Sequence, residues 1–144
     1  VMAILNYTTK IDADKTIMEI QKMLAKVGAK AILANYNDEG IITALSFQID
    51  FKGQLVGFKL PCNPEPVLLI LDRDSKVPRG LKTNEQALRV AWRIVKNWTE
   101  AQLAIIETKM VEPEQVFLPY AVTSNGQTVY EQFNNDNSYL LGGK

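Results

Sequence analysis

Residues 83–110, TNEQALRVAWRIVKNWTEAQLAIIETKM, are the longest strongly patterned run in the sequence. At about 100° per residue, Ala87, Ala91, Ile94, Trp98, Ala101 and Ile105 fall in one stripe. Leu88, Trp92, Val95 and Ile106 form a second stripe beside it, and Glu85, Arg89, Arg93, Lys96 and Glu100 gather on the opposite side. The period predicts a long amphipathic helix. Thr83 followed three residues later by Gln86 predicts a capping box, in which each side chain satisfies a backbone donor left free at the helix start. A helix of this length with an apolar flank must be laid against something, and the rest of the chain reads as its support.

Upstream, residues 3–7 are a short apolar run that suits an edge strand. Asp12 or Asp14 is placed to cap a helix ending near Val27, with Ile17, Ile20, Met23, Leu24 and Val27 on its core face. Lys15, Glu19, Lys22 and Lys26 share its solvent side. Residues 30–36, 41–51 and 54–60 then read as three antiparallel strands joined by Asn37-Asp38-Glu39-Gly40 and Lys52-Gly53. Leu45, Phe47, Ile49 and Phe51 alternate with Ser46, Gln48 and Asp50, giving the sheet one apolar face that helices must cover. Asn63 can cap a short helix containing Pro64 and Pro66 in its first turn. Residues 67–71 are apolar all round and should be buried. Val116, Phe117, Leu118 and Tyr120 make a patch expected to pack back, Ser124-Asn125-Gly126 a turn, and residues 127–133 one more short element.

The expectation is an α+β fold. A small antiparallel sheet of three to four strands is packed by an N-terminal helix and a long C-terminal helix. At 144 residues there is room for one domain that buries about two-thirds of its unfolded surface. That domain is placed at residues 1–133, with the polar, Gly-ended residues 134–144 as a disordered tail. The apolar surplus at 67–71 and 117–120 suggests a homodimer or larger oligomer. No run approaches the ~20 apolar residues of a membrane span, and the opening VMAILNYTTKIDADK has no basic segment leading into an apolar one. One cysteine suits a reducing compartment. The expected setting is cytoplasmic, with no membrane partner.

Chemistry is mostly excluded by what is missing. The chain has no histidine, the commonest general base and metal ligand. Gly-rich phosphate loops and nucleophile elbows are absent, and Cys62, between prolines 61 and 64, reads as a small buried hydrophobe. No enzyme, metal or cofactor is expected. Charge is the remaining signal. Although the net charge is zero, residues 72–96 hold seven basic against three acidic residues, and residues 97–144 hold two against six. Arg73, Lys76, Arg79 and Lys82 lie in or beside the loop feeding the long helix, and Arg89, Arg93 and Lys96 lie on its first half. A helix start presents free amide donors, and guanidinium groups bind phosphate bidentately. The plain alternative is a solvated face, with Glu85–Arg89 and Lys96–Glu100 pairs at i,i+4. It leaves Arg93 and the four loop cations without a partner. Trp92, about 60° from Arg89 around the helix, could stack on a base, shield the core or meet a second subunit.

The segments AWRIVKNWTEAQLAIIET, VFLPYAV, GQTVYEQF and AILNYTTKID together resemble small hypothetical proteins encoded by bacteriophages and prophages. The resemblance runs over most of the chain. It implies a viral setting inside a bacterial host, brings no activity, and transfers no functional residue. The order helix, three strands, helix is also similar to a double-stranded-RNA-binding domain. Arg79-Gly80-Leu81-Lys82-Thr83 occupies the place of that domain's basic segment, but a KKxAK-type run is missing and residues 63–82 are extra.

The leading expectation is therefore a non-catalytic phage-type accessory protein. It binds nucleic acid or a nucleotide through Arg73, Lys76, Arg79, Lys82, Arg89, Arg93 and Lys96. One alternative is a counter-defence protein that sequesters a nucleotide signal or blocks a host protein. Another is an interaction or oligomerisation module with no nucleotide ligand.

Overall fold

The computed structural model describes residues 3–136. In chain order the elements are α1 (Ala13–Lys26), β1 (Ala31–Tyr36), β2 (Ile42–Phe51), β3 (Gln54–Pro61), α2 (Glu65–Arg73), α3 (Asn84–Glu107), α4 (Pro113–Phe117) and α5 (Val129–Asn135). Single 3-10 turns lie at Arg79–Leu81 and Leu118–Tyr120. The fold is α+β, with one antiparallel three-stranded sheet in the order β1-β2-β3. The residues group into two compact units. One combines the chain up to Val27 with Pro61–Ala104, and the other combines Gly28–Leu60 with the chain from Ile105 onward.

The unit holding the sheet follows from alternation. Ile32 of β1 stands opposite Phe47 of β2, and Ala34 opposite Leu45. Leu45, Phe47 and Ile49 are buried, whereas Gln48 and Asp50 between and beside them are exposed. The β2–β3 turn is closed by Lys52 (φ 51°) and Gly53 (φ 88°). Both are left-handed, as a two-residue type I′ hairpin requires. The Asp50 carboxylate accepts the Gly53 N–H at 2.8 Å. The side-chain oxygen of Asn37 accepts the Glu39 and Ile41 N–H groups at 2.9 and 3.0 Å, fixing the β1–β2 turn.

An aromatic cluster holds this unit together. Phe47 stacks on Phe58 with centroids 5.3 Å apart, and Phe117 meets Phe47 edge-on at 5.4 Å. Phe51 meets Phe58 edge-on at 5.8 Å. Such pairs contribute about 0.5–1.5 kcal/mol each beyond the burial of their area. Phe117 comes from the end of α4 and packs back fully buried, whereas Leu118 of the same expected patch is 52% exposed. The next residues give β3 a short neighbour: Ala121 bridges Phe58, and the Val122 N–H donates to the Gly57 carbonyl at 2.8 Å. After the turn at Gly126, Thr128 starts α5 with a capping box absent from the sequence reading. Its hydroxyl accepts the Glu131 N–H at 3.2 Å, and the Glu131 carboxylate accepts the Thr128 N–H at 2.9 Å. The Thr128 N–H, and after it the Thr128 hydroxyl beside the carboxylate, hold the Glu131 carboxyl below the usual range. The helix runs to Asn135, so residues 134 and 135 are helical. Residues 137–144 of the expected tail lie outside the described residues.

The other unit contains α1, α2 and most of α3. Residues 3–7 are not an edge strand. They turn, with the Tyr7 N–H on the Ile4 carbonyl at 3.3 Å, the Thr9 N–H on the Asn6 carbonyl at 3.0 Å, and Asn6 at φ 65°. The carbonyls of Tyr7 and Thr9 are each taken by the side-chain amide of Gln86 at 2.9 Å. That use explains a second departure. Thr83 Oγ1 accepts the Gln86 N–H at 3.0 Å, but Gln86 does not return a bond to Thr83, so only half of the capping box forms. In α2, Asn63 Oδ1 accepts the Glu65 N–H at 3.1 Å, and Val67 and Leu71, one turn apart, are buried. Leu69 and Ile70 are 53% and 44% exposed, so the segment expected to be buried all round buries one face.

In α3, Ala87 and Ala91 of the expected stripe are buried, together with Val90 and Trp92. Beyond Lys96 the buried side shifts to Thr99 and Leu103, while Trp98 is half-buried and Ala101 exposed. Thr99 can be buried because its hydroxyl donates back to the Val95 carbonyl at 2.8 Å.

Candidate functional site

The cations of residues 72–96 divide into two groups. Those on α3 are held by carboxylates. Arg89 donates from Nη2 to Glu85 at 2.6 Å and from Nη1 to the Gln86 side-chain oxygen at 3.2 Å, and its Nε lies 3.5 Å from Asp12. Lys96 pairs with Glu100 at 3.0 Å. Arg93, left unpaired by the sequence reading, meets Glu19 at 2.8 Å and the Thr16 hydroxyl at 3.3 Å. Its side chain is only 13% exposed. The polar side of α3 is thus the side on which α1 lies, and Arg89 and Arg93 join the two helices.

Sequence reasoning missed Asp12 and Glu19 because both were given other roles. Asp12 stands at the N-cap position of α1 with extended backbone (φ −61°, ψ 147°), yet its carboxylate makes no cap bond and faces Arg89. Glu19 was assigned to solvent. The available signal was that Arg93 had no carboxylate at i±4, while Glu19 was the one acid among the lysines on its face of α1.

The loop cations behave differently. Arg73, Lys76 and Arg79 are exposed and take part in no ion pair among the described residues. Lys82 is half-buried and donates to the Asp72 carbonyl at 3.2 Å. The loop has fixed points: the Asp74 carboxylate accepts the Lys76 N–H at 2.9 Å, and the Val77 side chain is 3% exposed. The amides at the start of α3 are less open to an anion than expected, since Thr83 already caps Gln86 and Glu85 places a carboxylate in the first turn.

Trp92 is fully buried, which removes its ring from any stacking surface in this structure, and its indole N–H has no hydrogen-bond partner among the described residues. Cys62 is 5% exposed, and burial pushes its thiol up to about 12, so it is a protonated apolar group at neutral pH. No group of three potential ligands that could hold a metal occurs among the described residues, and none of the described helices is long and apolar enough to cross a membrane. A groove of about 440 Å³ opens on the sheet, lined by Ala31, Leu33, Ser46, Gln48, Gly57 and Val122 among others. No protein-family model, curated protein or solved structure matches this chain.

Proposed function

We propose that the protein is a non-catalytic accessory protein that binds the phosphate backbone of nucleic acid through Arg73, Lys76 and Arg79. The observation carrying this reading is the contrast within one basic segment. Every α3 cation is neutralised by a carboxylate, whereas these three cations, in the loop or at the end of α2 that feeds it, are exposed and have none among the described residues. Lys82, Arg89, Arg93 and Lys96 become supporting residues that shape the surface, and Trp92 has no part in it. Exposed charges on a loop suit a polymer backbone, which needs position and charge, better than a small nucleotide, which needs enclosure. A viral setting, implied by the resemblance to phage proteins, is compatible with such a role in the cytoplasm of a bacterial host.

Fluorescence anisotropy with labelled single- and double-stranded oligonucleotides across a salt series tests the proposal. Three neutralised phosphates give a slope of log K against log salt of roughly −2 for single strands and −2.7 for duplex. The Arg73→Ala/Lys76→Ala/Arg79→Ala variant should lose most of the affinity and flatten the slope. Binding that is salt-independent, or unchanged in the triple variant, would reject it. A thermal shift with a mononucleotide and none with polymer would favour the sequestering alternative instead.

A further inference from the structure

The sheet treats its two edges unequally. On the β3 side, Ala121 and Val122 occupy part of the edge through the Phe58 bridge and the bond to the Gly57 carbonyl. On the β1 side nothing among the described residues pairs with the outer backbone of Ala31–Tyr36. An open edge exposes a row of unpaired donors and acceptors, and natural edge strands are blunted by inward charges, lysine or proline. The sequence AILANY carries none of these. Leu33 and Tyr36 are each 62% exposed along it.

Charge lies just outside the strand, and with opposite sign at its two ends. Lys30 precedes it, Asp38 and Glu39 follow it, and all three are exposed. Two copies of this strand laid antiparallel bring the Lys30 end of each to the Asp38–Glu39 end of the other, twice over by symmetry. A parallel arrangement would set like charges side by side. The strand is therefore electrostatically self-complementary in one orientation alone, and that is the isologous geometry of a twofold dimer.

We propose that β1 is the seam of a homodimer, in which a second copy pairs its own β1 antiparallel to the first and two three-stranded sheets become one of six strands. The proposal rests on elements separate from the basic loop and stands or falls independently of nucleic-acid binding. Main-chain hydrogen bonds supply the attraction, as in other strand-addition interfaces. Leu33 and Tyr36 lose exposure, and the flanking charges set the direction.

Sedimentation velocity of the full chain over a concentration series reads the outcome. The native chain should move from monomer to dimer as concentration rises. Leu33→Lys puts a charge on the edge at an exposed site with no core role, and should leave a folded monomer by circular dichroism at every concentration. Lys30→Glu, which sets like charges together at both ends, should weaken association by about fivefold or more. Lys30→Glu/Asp38→Lys/Glu39→Lys, which reverses both ends and so restores their opposition, should recover it. A native chain that stays monomeric would overturn the proposal. So would a dimer indifferent to Leu33→Lys, or one that Lys30→Glu leaves equally tight.

Discussion

Arg93→Met is the substitution that best separates a structural ion pair from a ligand-binding cation. Methionine keeps an unbranched apolar stem and a similar helix propensity, so the change removes the guanidinium with little loss of packing. Two contacts disappear: the 2.8 Å bond to Glu19 and the 3.3 Å bond to the Thr16 hydroxyl, which is fully buried. Hydrogen bonds to charged groups are worth about 1.5–3 kcal/mol. The Glu19 side chain is 34% exposed and can recover water, which lowers the expected loss to about 1.5–2.5 kcal/mol. For a chain of this size that is a fall in Tm of roughly 4–8 °C. Lys96→Met is the control, because its partner Glu100 is 60% exposed and such i,i+4 pairs contribute about 0.3–0.5 kcal/mol. Urea denaturation of the native chain, Arg93→Met, Glu19→Gln and the double variant completes a cycle. It should yield a coupling of about 1 kcal/mol or more between Arg93 and Glu19. An Arg93→Met variant within 0.5 kcal/mol of the native chain, or a coupling of zero, would refute the claim that this arginine joins α1 to α3.

Three further outcomes follow from the packing. Gly57→Ala should stabilise the protein by about 0.4–1 kcal/mol in a thermal melt, because a Cβ at this position meets nothing within 4 Å and the backbone there has no positive φ; a lower Tm would contradict the open space there. Phe117→Ala should cost about 3–5 kcal/mol, since a fully buried ring in contact with Phe47 is deleted, and loss of the near-ultraviolet circular dichroism signal would report it. For Cys62, burial keeps the native thiol protonated up to about 12, so between the ordinary thiol value of 9.0 and that point the unfolded chain binds fewer protons than the native one. Stability should therefore fall across that window by up to about 1.4 kcal/mol per pH unit, and Cys62→Ala should remove this part of the slope in pH-dependent urea melts.

The elements most legible in the sequence were those whose pattern is local. The strand alternation of β2, the turns at Asn37–Gly40 and Lys52-Gly53, and the ends of α1 depend on residues within a few positions of one another, and the structure has them where the pattern puts them. What escaped depends on distant partners. Gln86 had a plausible local use as the second member of a capping box, but two carbonyls nearly eighty positions away claimed its amide. Arg93 looked free because its carboxylate sits on another helix. The same blindness blurred the candidate site: i,i+4 spacing set Arg89 and Lys96 apart, but Arg93 stood with the loop cations, and only the position of Glu19 moves it to the neutralised group. Trp92 was read as borderline because its apolar arc was drawn from α3 alone, whereas the first half of that helix is buried on nearly every side.

The two bonds from Gln86 have a consequence for how this sequence can drift. Its amide reads the carbonyls of Tyr7 and Thr9, and a carbonyl is the same whatever side chain stands beside it. The opening segment can therefore change its residues freely so long as its turn persists, while position 86 has almost no substitute: glutamate lacks the donors and asparagine lacks the reach. Among descendants of this chain, the anchoring of the turn around residues 7–9 should be recorded not in those residues but in a single glutamine far from them.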